Sequence, residues 1–165
     1  MKLPITLFAM TLFCVGCAPD ATIENNSVEN TTPLVTQPDG FQIDFPGEPE
    51  AWQSQFESSQ GTMIVHHLSV SQGGVTYSVA WHDYPNPLSD AQRIEELGSD
   101  WTEDSEIGGF PAMAQTMNQG GMSTLGRMLL LDQRFYSVHV GGPKSAINPK
   151  ETQRFFDSFK IDSTR

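Results

Sequence analysis

Four histidines, His66, His67, His82 and His139, are the side chains of this 165-residue chain best suited to acid–base or metal chemistry. The adjacent pair His66-His67 lies in an alternating stretch, where neighbouring side chains point to opposite faces of a strand and cannot hold one ion together. If Ser71-Gln72-Gly73-Gly74 closes a hairpin, His67 and His82 share a face but stand about four residues, roughly 13 Å, apart along it. Metal ligands must each come within about 2 Å of their ion. No His-x-His or His-x-x-x-His spacing occurs, so no metal site is expected, and His66 is expected to pack among Ile64, Leu68, Tyr77, Val79 and Trp81.

Serine chemistry needs a base and an orienting acid, commonly around a tight glycine-flanked turn. No serine stands in a Gly-x-Ser-x-Gly context, and Ser123, after Gly120-Gly121-Met122, reads as the entry to a strand. The acidic pairs Glu95-Glu96 and Glu103-Asp104 read as a solvated helix surface. Gly141-Gly142-Pro143-Lys144-Ser145 lacks the spacing of a phosphate loop, and Pro143 removes an amide donor. All four glycine pairs, at 73-74, 108-109, 120-121 and 141-142, read as turns. Trp52, Trp81, Trp101, Tyr77, Tyr84 and Tyr136 read as core rather than as a ligand groove. The expectation is a chain with no catalytic residue, no cofactor and no metal: not an enzyme.

The elements that carry these residues are legible as short apolar runs between Gly and Pro. Phe41 to Phe45 alternates as a half-buried strand and stops at Pro46-Gly47. Thr62 to Val70 and Val75 to Asp83 form a hairpin in which Val70 faces Val75, Leu68 faces Tyr77, His66 faces Val79 and Ile64 faces Trp81. Leu88 to Trp101 places Ala91, Ile94, Leu97 and Trp101 at helical spacing behind a Ser89/Gln92 capping box, with a bend at Gly98. Shorter strands follow at Glu106 to Phe110 and Ala112 to Met117, then Ser123 to Leu131 and Arg134 to Val140 around Asp132-Gln133. Asn148-Pro149-Lys150-Glu151 opens a last helix whose Phe155, Phe156 and Phe159 form its buried face. Helices at two places in a run of antiparallel hairpins predict an α+β sandwich, a central antiparallel sheet with helices packed against it.

Composition narrows the function classes. The chain has 9 basic and 20 acidic residues, a net charge of −11 and no basic stretch, which argues against nucleic acid as a partner. No apolar run reaches the roughly 18 residues that a spanning helix needs. Residues 1–16 are read as an export signal: Lys2, an apolar stretch from Leu3 to Val15, then small residues before Cys17. Cys14-Val15-Gly16-Cys17 resembles the lipobox of bacterial lipoproteins, with Cys14 where leucine is usual. The resemblance implies that the thiol of Cys17 receives a diacylglyceryl group and that its amino group, freed by cleavage, is acylated with a fatty acid such as palmitate. Cys17 would be the only cysteine left, with no intramolecular disulfide partner. Losing Lys2 takes the balance to 8 basic against 20 acidic side chains, a charge of −12. Ala18 after the cysteine resembles the pattern sorted to the outer membrane of diderm bacteria, on its periplasmic face.

Residues 17–38, polar and carrying three prolines, read as a lipidated cysteine on a flexible tether of roughly 25 Å reach, and residues 39–163 as a single domain. Across that domain, Asp39-Gly40-Phe41 to Phe45-Pro46-Gly47-Glu48-Pro49, Tyr77-Ser78-Val79, Gly109-Phe110-Pro111, Arg127-Met128-Leu129-Leu130, Arg134-Phe135-Tyr136-Ser137-Val138 and Phe155-Phe156-Asp157-Ser158-Phe159 resemble, in order and spacing, the PsbP-like domain of many bacterial lipoproteins (the PsbP, DcrB and LpqN group). The resemblance implies an accessory or binding protein with no shared catalytic residues. The expected protein is therefore a cell-envelope lipoprotein, membrane-held through Cys17, that presents a non-catalytic domain to an envelope protein. A carrier for a small apolar ligand is the second reading, requiring an enclosed pocket of at least about 300 Å³. A hydrolase, requiring a His united with Ser, Asp or Glu, is the third.

Overall fold

A computed structural model describes residues 34–37, 40–97 and 104–161. Cys17, the signal segment, most of the tether, Gly98, Trp101 and Glu103 lie outside the described residues. The element order is β1 (Leu34–Gln37), β2 (Phe41–Asp44), β3 (Glu50–Ser58), β4 (Gly61–Gln72), β5 (Val75–Asp83), α1 (Asp90–Leu97), β6 (Ser105–Ile107), β7 (Phe110–Gln119), β8 (Met122–Leu131), β9 (Arg134–Pro143), α2 (Pro149–Ser158) and β10 (Lys160–Ile161). Seven strands form one sheet in the order β3-β4-β5-β9-β8-β7-β6, antiparallel at every step, and β1-β2-β10 form a small second sheet. Leu34–Gln37, which the sequence reading placed in the tether, pairs with β2.

The α+β expectation is corrected. Among the described residues, ten strands and two helices of eight and ten residues make this a sheet-dominated, antiparallel β fold. Ser89 and Gln92 form the expected capping box before α1, with Gln92 accepting from the Ser89 amide at 3.0 Å. A full strand, β3, stands where no apolar alternation announces it, because it is an edge strand whose side chains are mostly exposed.

Strand periodicity divides the seven-stranded sheet into two faces. The inner face contributes Leu68, Val75, Tyr77, Val79, Trp81, Leu129, Tyr136, Val138 and Val140 to the main core. Phe41, Ile43 and Phe45 from the β2 region and Phe155, Phe156 and Phe159 from α2 and its C-cap cover it. Phe41 is fully buried at the centre, with its ring 5.0 Å from Trp81, 5.4 Å from Phe159 and 6.0 Å from Tyr136. Asn148 caps α2 by accepting from the Lys150 amide at 2.9 Å, and Pro149 takes the first helical position. Arg127 lies 4.7 Å over the Phe156 ring, and it donates to the Glu106 carbonyl at 2.9 Å. A smaller cluster on the outer face, of Met63, Tyr84 and Leu130 with Phe56, Leu88, Leu97 and Phe135, anchors the end of α1.

The β4–β5 hairpin differs in register from the expectation. Its turn is only Gly73-Gly74, both at positive φ (59° and 78°), the conformation of tight two-residue hairpins. Ser71 and Gln72 join the strand, so Val70 faces Tyr77, Leu68 faces Val79 and His66 faces Trp81. A shift of two residues leaves every side chain on its expected face. The glycine pairs at 108-109 and 120-121 also have positive φ, but Gly141-Gly142 lies inside β9 and is no turn. Gly142 is required there by proximity: a Cβ would fall 2.8 Å from the Gly74 carbonyl oxygen. At the far end of the same strands, Arg134 clasps Asp83 through two contacts of 2.5 and 2.6 Å.

Since Phe41 fills the junction between the two sheets and α2, Phe41→Ala is expected to cost about 3–5 kcal/mol of stability. Urea denaturation followed by tryptophan fluorescence measures it, and a loss below about 1 kcal/mol would contradict a core centred on this ring.

Candidate functional site

The outer face of the large sheet brings together the chemistry-bearing residues. Cross-strand registers run in continuous rows from β3 to β7. One row reads Trp52, His67, Ala80, Ser137, Met128, Met113; the next reads Glu50, Ser69, Ser78, His139, Gly126, Gln115. A third, from β4, reads Ser71, Thr76, Gly141, Thr124, Met117. The middle of the face is thus built from small residues, flanked by Trp52 and His67 on one side and by Met113, Met117 and Met128 on the other. The Tyr84–Leu130–Phe135 cluster closes one end. Five interstrand spacings of about 4.8 Å make it roughly 24 Å wide.

Charge is almost absent from this face. Of the outward positions on β3, β4, β5, β7, β8 and β9, only Glu50 at the rim carries a formal charge, in a chain with 20 acidic and 9 basic residues. The acidic character of the protein is displayed elsewhere.

His67, His82 and His139 share this face, while His66 lies on the other side, stacked on Trp81 at 5.2 Å and 3.1 Å from the Gln53 amide nitrogen through Nδ1. The corrected register halves the offset expected between His67 and His82, because His67 faces Ala80. Even so, no group of three or more His, Cys, Asp or Glu side chains among the described residues is placed to hold a metal ion. His67 is stacked flat on Trp52, with ring centroids 3.6 Å apart, and its Nε2 lies 2.8 Å from the Ser54 hydroxyl. His139 pairs through Nε2 with the Ser137 hydroxyl two residues back on its own strand. The His139 ring lies across Gly126, where a Cβ would come within 2.8 Å of it, so the absent side chain makes the space the imidazole occupies. His82 is buried between Phe56, Tyr84 and Phe135.

Among the described residues two serine–histidine pairs therefore exist, joining His67 and His139, which the sequence singles out, to Ser54 and Ser137, which it does not. Ser123, considered there, is buried on the inner side of β8 opposite Gly142. A hydroxyl–imidazole pair becomes a nucleophile and base when a third group orients the ring and donors await the oxyanion. Among the described residues no carboxylate hydrogen-bonds to His67 or His139. What the pairs do in this geometry is hold two imidazoles flat against the sheet.

Burial pushes His139 below the ordinary histidine value, and burial followed by the neighbouring His66 does the same for His67. Neither protein-family models, nor curated proteins, nor solved structures show a match to this chain.

The histidine shifts set a direction for stability against pH. A folded state that disfavours the imidazolium binds fewer protons than the unfolded chain below the ordinary value near 6.5. The stabilisation is complete above that value and is lost as pH falls through it toward the depressed folded values. The urea midpoint is expected to drop between about pH 7.5 and about pH 5.5, and to drop less in His139→Asn. Equal pH dependence in the variant would show that His139 does not contribute.

Proposed function

We propose that this chain is a bacterial cell-envelope lipoprotein, held to a membrane by lipid on Cys17, whose PsbP-like, sheet-dominated domain is a non-catalytic binding module for an envelope protein. The observation that carries the binding role is the uncharged outer face. A face some 24 Å wide, with small residues at its centre and charge confined to one rim position, suits an uncharged protein surface better than a small ligand. Small-molecule sites are concave and enclosing. Ser78, Ala80, Ser137 and His139 at the centre of the face are half-buried in the isolated domain, and a broad sheet face excludes the remaining water when another macromolecular surface lies on it.

The anchor reading rests on the lipobox-like Cys14-Val15-Gly16-Cys17 and on membrane physics. Each buried methylene contributes about 0.8 kcal/mol, so two or three acyl chains retain an acidic, water-soluble body at a bilayer that its charge would otherwise repel. The periplasmic face of an outer membrane, in a diderm cell, is the proposed location.

Two arms of one experiment test this. In cell fractionation the wild-type chain is expected in the membrane pellet, and Cys17→Ser is expected to move it to the soluble fraction. With a photoreactive amino acid in place of Ser78, irradiation of intact cells is expected to yield a discrete protein adduct. Unchanged sedimentation of Cys17→Ser would overturn the anchor, and the lack of any adduct from Ser78 would overturn the docking face.

A further inference from the structure

We infer that the chain forms a two-fold symmetric dimer by antiparallel pairing of β3 with β3 of a second copy, making one continuous sheet. This goes beyond the proposed function and uses the sheet's edge rather than its face.

The two edges of the large sheet are treated differently. At one, β6 is three residues long and pairs with a strand that carries Pro111, so it offers little to an incoming strand. At the other, β3 runs nine residues in unbroken register with β4, from Glu50 opposite Ser69 to Ser58 opposite Gly61. It contains no Lys, no Pro and no bulge, three of the devices that ordinarily protect an edge, and its two charges, Glu50 and Glu57, stand near its ends. The two most exposed large apolar side chains among the described residues, Ile64 at 55% and Trp52 at 51%, lie in β4 and β3.

The occupant follows from the sequence of the strand itself. Glu50-Ala51-Trp52-Gln53-Ser54-Gln55-Phe56-Glu57-Ser58 is nearly palindromic about Ser54. With the dyad at Ser54, Gln53 faces Gln55 of the second copy, Trp52 faces its Phe56, Ala51 its Glu57 and Glu50 its Ser58. Aromatic then meets aromatic, amide meets amide, and no like charges stand opposite.

The backbone permits this register. Ser59-Gln60 is a two-residue turn whose closing pair, Ser58 and Gly61, belongs to the hydrogen-bonded class, so even-numbered residues of β3 direct their amides and carbonyls toward β4. Odd-numbered residues direct theirs to the open edge. The dyad at Ser54 brings odd opposite odd, so each such pair exchanges two hydrogen bonds. Trp52 with Phe56 of the second copy becomes a non-hydrogen-bonded pair, where side chains approach most closely. Dyads at Gln53 or Gln55 also match the backbone, but they set Trp52 opposite Ser54 or Ser58 and split the aromatic pairs.

The test is made in the full-length chain in its own membranes, under mild oxidation. Ser54→Cys places two thiols directly across the dyad, whereas Gln53→Cys and Gln55→Cys place them on a diagonal; the unsubstituted chain, with Cys14 removed and Cys17 lipidated in the proposed mature form, sets the background. Covalent dimer from Ser54→Cys is expected at roughly ten times the yield of either flanking variant. Adding Gln53→Lys with Gln55→Lys, which sets like charges opposite one another twice, is expected to abolish the crosslink. Gln53→Lys with Gln55→Glu, which sets opposite charges there, is expected to restore it. Sedimentation of the unsubstituted chain in detergent is independent of any substitution and should give twice the mass of the single processed chain, after correction for bound detergent. A monomer in sedimentation, or equal yields at positions 53, 54 and 55, would overturn the dimer, whatever other strand the edge takes.

Discussion

One alternation, kept in phase across seven strands, underlies everything else in this molecule. Each turn in the β3–β4–β5 and β7–β8–β9 stretches holds two residues, so no strand slips by one and no side chain changes face. The inner face therefore collects Tyr77, Val79, Trp81, Tyr136 and Val138 under the phenylalanines of β2 and α2. The outer face collects serine, threonine, alanine, glycine, methionine and histidine. A single-residue slip in one hairpin would send apolar core to solvent and polar residues inward. Gly73-Gly74 and the close approach at Gly142 show how tightly that phase is held where the β4–β5 turn meets β9.

Much of this pattern can be read from the chain alone, and the parts that cannot have physical causes. β5 and β9 alternate strongly enough to announce themselves, β8 is announced by its apolar run ending at the Asp132-Gln133 turn, and the Asn148-Pro149 cap marks α2 without ambiguity. The strand β3 stays hidden because it lies at an edge with both faces partly wet, so its only large apolar residues, Trp52 and Phe56, are four apart. A two-residue shift in the β4–β5 register leaves every side chain on the same face, since parity rather than register decides burial. Two well-capped helices among many short strands suggest an α+β sandwich, whereas the strands pair into one seven-stranded antiparallel sheet that dominates the fold.

The site divides in the same way. The pair Ser137 and His139 carries a readable signal, Ser-x-His on a strand, which puts hydroxyl and ring on one face. Ser54 and His67 are 13 residues apart and meet only through pairing across β3 and β4. The absence of charge on the outer face is likewise invisible until the registers of six strands are known together. As proposed, anchor, face and edge would answer different needs: the lipid would set location, the uncharged face would accept a partner, and β3 would join two copies.

If the outer face is a docking surface, it is occupied in the cell. Thr76, outward on β5 and exposed in the isolated domain, reports on it directly. The rate at which a membrane-permeant maleimide labels Thr76→Cys should be about tenfold lower in native envelopes than in the purified protein, while a cysteine at Glu151, on the exposed surface of α2, labels equally in both. Equal labelling of Thr76→Cys in the two preparations would mean that nothing covers the face, and the account would be wrong.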